Sequence, residues 1–264
     1  MNGSILPPID PKGPAHRRFE AAARAAGMDP NDRWVGGYAA YEWEHLRLAL
    51  ESYGIAVAAR DLLELGCNVG GSSVVLAALG ARLTGIDVDP LMPPIAEANL
   101  ARHGLAGDIR LGEAGGSLPF ADASFDMVLA NSVLEYVDPR HLDATMCELH
   151  RVLRPGGQLF ICGTASRLAL RERHSGRWLV NLLPEAIDDI TGRQLQRGLA
   201  PWRLARSLSG RFAETGGDQA WLATRRRIHG GGGAGVSAYA LLGRSIGRTP
   251  GWFTPYIELL LQKI

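Results

Sequence analysis

Residues 61–73 read DLLELGCNVGGSS, and this stretch decides the fold class of the chain. An apolar strand ends in the pattern Glu-x-Gly-x-x-x-Gly, formed by Glu64, Gly66 and Gly70, and runs directly into a helix. The glycines let the backbone turn tightly and let a ligand approach it closely. The free N–H groups of the following helix start can receive an anionic group such as a carboxylate. The stretch therefore predicts a strand, a ligand-binding turn and a helix.

A second acidic residue supports a ligand site at this edge of the sheet. The apolar stretch ARLTGI over 81–86 predicts a strand that ends at Asp87. Asp87 follows Gly66 by about 20 residues, the spacing at which an acidic residue binds a ribose diol in nucleotide-binding α/β folds. Glu64 and Asp87 both fall at the carboxyl ends of strands, where open α/β sheets bind ligands. The alternative is a tight turn in a domain that binds nothing.

The side chain of Asn68 argues against a dinucleotide. In the pattern G-x-G-x-x-G the second glycine lets the backbone approach a pyrophosphate, and Asn68 occupies that position here. S-adenosylmethionine (SAM) has a carboxylate and an ammonium group but no pyrophosphate, and Glu64 would suit the ammonium side. The turn therefore favours SAM over a nicotinamide dinucleotide.

Strands alternate with helices along the central part of the chain. Two helices are predicted before the first strand, at 15–27 and 38–53, and the second has Ala39, Trp43, Leu46 and Leu50 at helical spacing. Further strands are predicted at 125–130 and 158–163, and further helices at 72–79, 91–103 and 139–153. This alternation implies βαβ units, and hence a doubly wound α/β fold with a mostly parallel sheet.

The pattern weakens after Gly163. Residues 164–183 are expected to form a basic, irregular insertion, and helical pieces are expected near 184–197 and 201–213. Residues 220–228 and 235–242 are interpreted as two strands of an antiparallel hairpin, with Arg225–Arg227 reaching solvent and Gly230–Gly233 as a flexible linker. The apolar stripe of 252–264 is expected to dock on the core or to form a subunit contact.

Composition limits the classes of function. The chain has 264 residues, 46% of them hydrophobic, and a formal charge of +1, so broad electrostatic capture of nucleic acid is not expected. Cys67, Cys147 and Cys162 are odd in number and widely spaced, which predicts neither a metal cluster nor a disulfide framework. We find neither a leader pattern nor a run of about 20 apolar residues. The expected location is the cytoplasm.

Four motifs over residues 61–163 resemble the class I SAM-dependent methyltransferases, particularly their small-molecule "type 11" group. The motifs are LELGCNVGGSS, GIDVDP, GEAGGSLPFADASFDMVLANSVLEYV and ELHRVLRPGGQLFI, and they occur in the family's order. The resemblance implies a seven-stranded Rossmann-like sheet with an antiparallel edge hairpin, helped by the pattern at 220–242. It divides the chain into an N-terminal helical extension or lid (1–59) and a SAM-binding domain (60–264), with an acceptor-side insertion at about 164–215.

The resemblance also implies roles for individual residues. Asp87 would bind the ribose hydroxyls, with Val88 against the adenine, and Glu113 and Ala114 would meet the adenine edge. The residues expected around the methionyl part of SAM are Glu64, Gly66, Asn68 and Gly70, with Asn131 facing the same end. Cys67 is also expected at the cofactor site, as is Tyr38, either as part of a lid over the cofactor or as core packing. Glu113 replaces the family's usual Asp, and the segment after it is one residue longer than the common form. The adenine contact is therefore the more uncertain one.

Some relatives bind a metal through E-x-x-E-H, and the corresponding residues here are Ser132, Glu135 and Tyr136. Two of the three ligands are missing, so no catalytic metal is expected. Glu135 and Tyr136 lie close enough to the predicted cleft to orient an acceptor or act as a base, and a helix-end carboxylate and a packed aromatic are the simpler alternatives. His174 is the remaining base candidate, because histidine titrates near neutral pH.

The expected function is methyl transfer from SAM to a small-molecule acceptor, with S-adenosylhomocysteine as the second product. Residues outside 60–163 are expected to select the acceptor, which Arg171, Arg173 and Arg177 suggest is anionic. The transfer to oxygen, nitrogen or carbon stays open, as does the oligomeric state. A nicotinamide-dependent oxidoreductase and a non-catalytic SAM-binding or scaffolding protein are the alternatives.

Overall fold

The computed structural model of the protein describes residues 5–184, 186–192, 195–229 and 234–264. Seven strands of the described residues form one sheet in the order β3-β2-β1-β4-β5-β7-β6. The strands are β1 (Asp61–Leu65), β2 (Arg82–Asp87), β3 (Asp108–Leu111), β4 (Phe125–Asn131), β5 (Leu153–Ala165), β6 (Phe212–Glu214) and β7 (Tyr256–Lys263). The first five are parallel, and β7 is antiparallel to both β5 and β6. The predicted mostly parallel seven-stranded sheet with an antiparallel edge is confirmed.

Helices cover both faces of this sheet. They are α1 (Pro14–Ala25), α2 (Tyr38–Ser52), α3 (Gly71–Ala78), α4 (Met92–Arg102), α5 (Leu142–Val152), α6 (Ala186–Thr191), α7 (Pro201–Leu208), α8 (Asp218–His229) and α9 (Ala234–Ile246). Leu62 of β1 packs into the cluster under α2 and α3, whereas Leu63 packs into the cluster under α5 and α7. A central parallel strand buried on both faces is apolar throughout, which explains the run that precedes Glu64.

The N-terminal helices are fixed to the domain by an arginine. Arg102 of α4 lies 3.7 Å above the ring of the fully buried Phe19 of α1. The same guanidinium donates a hydrogen bond of 2.7 Å to the Gly36 carbonyl, just before α2. α2 in turn packs against α3 and α8. This arrangement places the first turn of α2 beside the turn that follows β1.

The predicted hairpin at 220–242 is wrong, because its two segments are the helices α8 and α9. Trp221 and Arg225 lie one helical turn apart, and the guanidinium sits 5.5 Å from the ring centroid. Arg225 pairs with buried Glu258 instead of reaching solvent. Residues 230–233, predicted to be a flexible linker, lie outside the described residues.

The antiparallel edge comes from other segments. β6 occupies residues at the end of the helix predicted over 201–213, and β7 comes from the C-terminal segment that was predicted only to dock. Five consecutive residues of β7 are buried, from Ile257 to Leu261. Within the described ranges, no helix is long and apolar enough to cross a membrane.

Candidate active site

Acidic, aromatic and amide side chains meet where the sheet order reverses, between the carboxyl ends of β1 and β4. Ligands of open α/β sheets bind at such a reversal. A cavity of about 370 Å³ opens here, and we call it the main chamber. It is lined by Trp34, Tyr38, Glu64, Gly66, Cys67, Asn68, Ser72, Asn131, Ser132, Tyr136, Arg173 and His174.

The turn after β1 has the tight geometry that its glycines predict. Gly66 and Gly70 have φ angles of +71° and +78°, in the left-handed region that favours glycine. A Cβ at Gly66 would also lie 2.3 Å from Val133, so neither the backbone nor the packing tolerates a side chain there. Asn68 has φ +48°, a conformation that asparagine adopts more readily than most residues.

Asp87 at the end of β2 anchors this turn. Its carboxylate accepts hydrogen bonds from the backbone N–H groups of Asn68 at 2.7 Å and Asp89 at 3.0 Å. A carboxylate has about four acceptor positions, so acceptor capacity remains for a ligand. Val88 beside it is exposed, as are Glu113 and Ala114 in the loop that follows β3. None of these four residues lines the main chamber itself.

Glu64 is the buried acid of the main chamber. Its side chain is only 2% exposed, and the Ser73 hydroxyl donates a hydrogen bond of 2.5 Å to it. Burial, together with the neighbouring Glu42 carboxyl, raises the pKa of Glu64 to about 8, although the hydrogen bond from Ser73 opposes the shift. Glu64 is therefore largely protonated at neutral pH in the protein without a ligand.

Tyr38 covers this end of the chamber. Its ring lies directly over Gly71, where an added Cβ would come within 2.4 Å of the ring. Trp34 packs edge-on against Tyr38 with 6.0 Å between the ring centroids. The glycine pair after β1 therefore serves two purposes: Gly70 makes the turn, and Gly71 makes room for an aromatic side chain from α2.

Glu42, one turn further along α2, is a site residue that the sequence interpretation missed. It is only 4% exposed, and its hydrogen-bond partners are the Tyr38 hydroxyl and the Asn131 side chain. Burial raises the pKa of Glu42, and these hydrogen bonds oppose the shift. The sequence did contain a signal for this residue, namely a charged side chain on the apolar face of a predicted helix. Glu42 lies three residues after Ala39 and four before Leu46, which places it on that face.

The end of β4 completes the floor of the chamber. The Asn131 amide donates a hydrogen bond of 2.9 Å to the Ser72 hydroxyl at the start of α3. Ser132 has φ +52°, and its N–H donates to the Cys162 carbonyl on β5. Strained backbone of this kind persists where the surroundings determine it fully, and here it turns the chain sharply away from the sheet.

A second, smaller cavity of about 210 Å³ adjoins the main chamber, and we call it the side chamber. The two share Asn131, Ser132 and Arg173. The rest of the side chamber is formed by one face of α2, by the end of β5, by α8 and by β7. Its lining includes Tyr41, Glu42, His45, Arg225, Tyr256 and Glu258. Burial raises the pKa of Glu258, which the paired Arg225 opposes.

Of the three arginines predicted to receive an acceptor, only Arg173 reaches the chambers. Its guanidinium donates to the Gly163 carbonyl at 2.6 Å and lies 4.7 Å from the Tyr256 ring centroid. Arg171 instead donates to the Gly176 carbonyl within its own exposed loop, and Arg177 is exposed. The insertion therefore contributes one cation to the site.

The three predicted catalytic residues meet at the rim of the main chamber, and we call them the rim cluster. The Tyr136 hydroxyl lies 3.0 Å from His174 Nδ1, and His174 Nε2 lies 3.4 Å from Glu135 Oε1. The same Glu135 oxygen accepts a hydrogen bond from the Ala165 N–H. Glu172 accepts hydrogen bonds from the backbone N–H groups of His174 and Ser175, which fixes the histidine's loop.

Among the residues that the structure describes, no group of three or more His, Cys, Asp or Glu side chains is placed to hold a metal ion. Ser132 and Tyr136 stand where the E-x-x-E-H pattern has two of its ligands. The Ser132 hydroxyl donates a hydrogen bond to the Gly163 carbonyl, and the Tyr136 hydroxyl contacts His174. The two chambers therefore offer acidic, aromatic and guanidinium side chains for an organic ligand.

A doubly wound sheet with a glycine turn after β1 and an acid after β2 is typical of domains that bind a nucleoside-containing cofactor. Residues 63–161 match the family described as "Methyltransferase domain", Methyltransf_11. Over residues 63–161 this match agrees with the resemblance to the type 11 group of the class I SAM-dependent methyltransferases that the motifs predicted.

Curated relatives and solved structures agree with this assignment. Demethylmenaquinone methyltransferase of Tropheryma whipplei (strain Twist) is 35% identical over 116 residues, which are 44% of this chain and 46% of the relative. Ubiquinone biosynthesis O-methyltransferase of Cereibacter sphaeroides is 34% identical over 131 residues, or 48% and 51% of the two chains. The chain thus spans about half the length of these relatives.

One solved structure supports the fold over a longer range. A crystal structure described as an S-adenosylmethionine dependent methyltransferase from Mesorhizobium loti is 20% identical to the chain, with a TM-score of 0.50. The match covers 84% of this chain and 97% of that one. At this level of identity the likeness concerns the fold alone.

Proposed function

We propose that this protein transfers the methyl group of SAM to a small-molecule acceptor, with SAM in the main chamber and the acceptor in the side chamber. The observation that supports this most directly is the common wall of the two chambers, formed by Asn131, Ser132 and Arg173. Group transfer requires the reacting atoms to approach to about 3–3.5 Å, so the two ligand sites must meet.

The side chains of the main chamber fit SAM. Its volume of about 370 Å³ lies in the range of cofactor-sized pockets. Glu64 offers a carboxyl group to the ammonium of the methionyl part, and Asp87 keeps acceptor capacity for the ribose hydroxyls. The remaining methionyl contacts are assigned to Tyr38, Gly66, Cys67, Asn68, Gly70 and Asn131. The exposed Val88, Glu113 and Ala114 are assigned to the adenine.

Bound SAM supplies a methyl group that its sulfonium already makes electrophilic. The protein's tasks are then to align the acceptor, to exclude water and, for an O–H or N–H acceptor, to remove a proton. Trp34 and Tyr38 cover the main chamber from α2 and the loop before it, and Arg173 covers the junction from the insertion. This supports the assignment of 1–59 as a lid and of 164–215 as the acceptor-side insertion.

The rim cluster is proposed to hold the insertion over the chamber and to orient the acceptor. The contact between Tyr136 and His174 links the segment after β4 to the insertion. Glu135 contacts His174 as well, and it accepts a hydrogen bond from the Ala165 N–H of β5. Because Tyr136 is 58% exposed, a proton accepted here passes readily to solvent. His174 is therefore the candidate in this cluster to relay a proton from the site to solvent.

The acceptor is proposed to be small and to carry an anionic group. The two relatives are named for menaquinone and ubiquinone biosynthesis, which supports a small organic acceptor. The side chamber holds about 210 Å³ and is walled by the rings of Tyr41, His45 and Tyr256. Arg173 provides a guanidinium that binds carbonyl oxygen but forms no ion pair with any described carboxylate. The cytoplasm remains the expected location.

Titration calorimetry and an acceptor screen test the proposed function. SAM and S-adenosylhomocysteine should bind, and NAD should not, because Asn68 blocks the approach of a pyrophosphate. A panel of small hydroxyl- and amine-bearing acids is then screened for formation of S-adenosylhomocysteine. Binding of NAD in preference to SAM would support an oxidoreductase instead. SAM binding without turnover across a broad panel would favour the non-catalytic alternative.

A further inference from the structure

Glu42 stands at the junction of the two chambers. Its carboxyl group lines the side chamber, while both of its hydrogen-bond partners, Tyr38 and Asn131, line the main chamber. It is carried by α2, whose first turn lies over the turn after β1. The carboxyl group therefore lies close to the wall that the two chambers share.

The contacts of Glu42 are not those of a stabilising ion pair. Its partners are a neutral phenol and a neutral amide, and Arg173 acts on it only as a more distant charge. Burying a carboxyl group without a cationic partner costs free energy. An apolar residue on this face of α2, like Ala39 or Leu46 beside it, would avoid that cost. The presence of a carboxyl group at this position is thus explained better by the binding of a ligand than by the stability of the fold.

We propose that Glu42 faces the methyl group of SAM and is the base that takes the proton from an O–H or N–H acceptor. This inference rests on the proposed function and refines it, because it specifies the acceptor class as one that loses a proton on methylation. It also assigns the base to a lid helix that lies outside the matched domain of residues 63–161.

The step balances in atoms and charge. The acceptor oxygen or nitrogen forms a bond to the methyl carbon, and the carbon–sulfur bond breaks with its electron pair remaining on sulfur. The acceptor's proton passes to the Glu42 carboxylate. A sulfonium and a carboxylate are thereby converted into a neutral thioether and a neutral carboxylic acid, alongside the methylated acceptor. A buried site favours this direction, because it disfavours the charged form of each group.

The placement of Glu42 is tested without knowing the acceptor. Sinefungin is a SAM analogue whose amine-bearing carbon replaces the methyl-bearing sulfur, so its extra ammonium group occupies the position of the methyl. S-adenosylhomocysteine has no group at that position. If Glu42 faces the methyl, we expect the wild-type protein to bind sinefungin at least tenfold more tightly than S-adenosylhomocysteine. In Glu42→Gln this preference should fall to about twofold or less, with affinity for S-adenosylhomocysteine unchanged.

Two control variants separate this effect from general electrostatics. Glu44→Gln removes an exposed carboxylate from the same helix and should leave both affinities unchanged. Glu64→Gln should weaken both ligands equally, because both carry the methionyl ammonium. Should Glu42→Gln fail to fold, Glu42→Leu fills the volume without a polar group, and replacing a buried charge in this way is often neutral or stabilising.

The outcomes are distinct. A sinefungin preference that survives in a folded Glu42 variant overturns the proposal, because the carboxyl group then does not face the methyl position. Equal binding of the two ligands by the wild-type protein overturns it as well. If neither ligand binds the wild-type protein, the proposed function itself fails.

Discussion

Proton release on ligand binding is the sharpest consequence of the buried Glu64. Burial raises the pKa of this carboxyl group to about 8 in the protein without a ligand. The ammonium group of S-adenosylhomocysteine would stabilise the carboxylate and lower that pKa again. Binding at pH 7 should therefore expel the proton from Glu64.

The size of the effect follows from the pKa. At one pH unit below a pKa of about 8, roughly ten protonated molecules exist for each ionised one, so binding should release about 0.9 proton. Ionising the group costs about 1.4 kcal/mol per pH unit below the pKa. The affinity for S-adenosylhomocysteine should then fall about tenfold from pH 7 to pH 6.

Calorimetry measures both quantities. Titrations at pH 7 in phosphate and in Tris, whose ionisation enthalpies differ, give the number of protons released. Glu64→Gln keeps the size of the side chain and removes the titration, so its proton release should be near zero and its affinity nearly independent of pH. If wild type and variant release the same number of protons, Glu64 does not meet the ammonium group and the assignment of the methionyl end is wrong.

Four further predictions follow from the same geometry. Asp87→Ala should weaken S-adenosylhomocysteine ten- to a hundredfold through the loss of charge-assisted hydrogen bonds, and an unchanged calorimetric affinity would refute its ribose role. Glu42→Gln should bind SAM more weakly than the wild-type protein does, with an unchanged affinity for S-adenosylhomocysteine, because the carboxyl group is proposed to face the methyl group of the sulfonium. Arg173→Ala should raise the KM of an identified acceptor at least tenfold, whereas Arg171→Ala, confined to its exposed loop, should not. Turnover should persist in EDTA, and a strict requirement for Mg²⁺ would contradict the expected independence from metal.

The central sheet could be predicted because its signals are local. The glycines after β1 and the acid after β2 mark the ends of strands whose central residues are mostly apolar and buried. β3 was not predicted, because it lacks such a local signal. Of its four residues only Ile109 is buried, and the strand lies at the edge of the sheet. A short edge strand has one neighbour and needs no continuous apolar pattern.

The error at 220–242 has a different cause. Short segments with mixed small, apolar and basic residues fit a period of 2 or of 3.6 about equally well. Long-range partners decide between them: Arg225 meets Glu258, and Trp221 packs in a cluster with Ala240. Neither contact can be read from local sequence. The edge strand that was expected there comes instead from residues 256–263, whose apolar run is buried against β5.

Residues of the core and of the flanking segments line both chambers, and selection of the acceptor by the flanks stays a prediction. Tyr38 and Arg173, both outside 60–163, line the main chamber, and Asn131 of the core lines the side chamber as well. α2 contributes to both, through Tyr38 over the glycine turn and Glu42 at the junction. A single rigid helix that contacts both ligand sites makes their occupancy interdependent, because any shift of α2 that admits an acceptor also moves the ring that covers the cofactor. Selection of the acceptor is therefore expected to depend on whether the cofactor is bound, and not on the flanking segments alone.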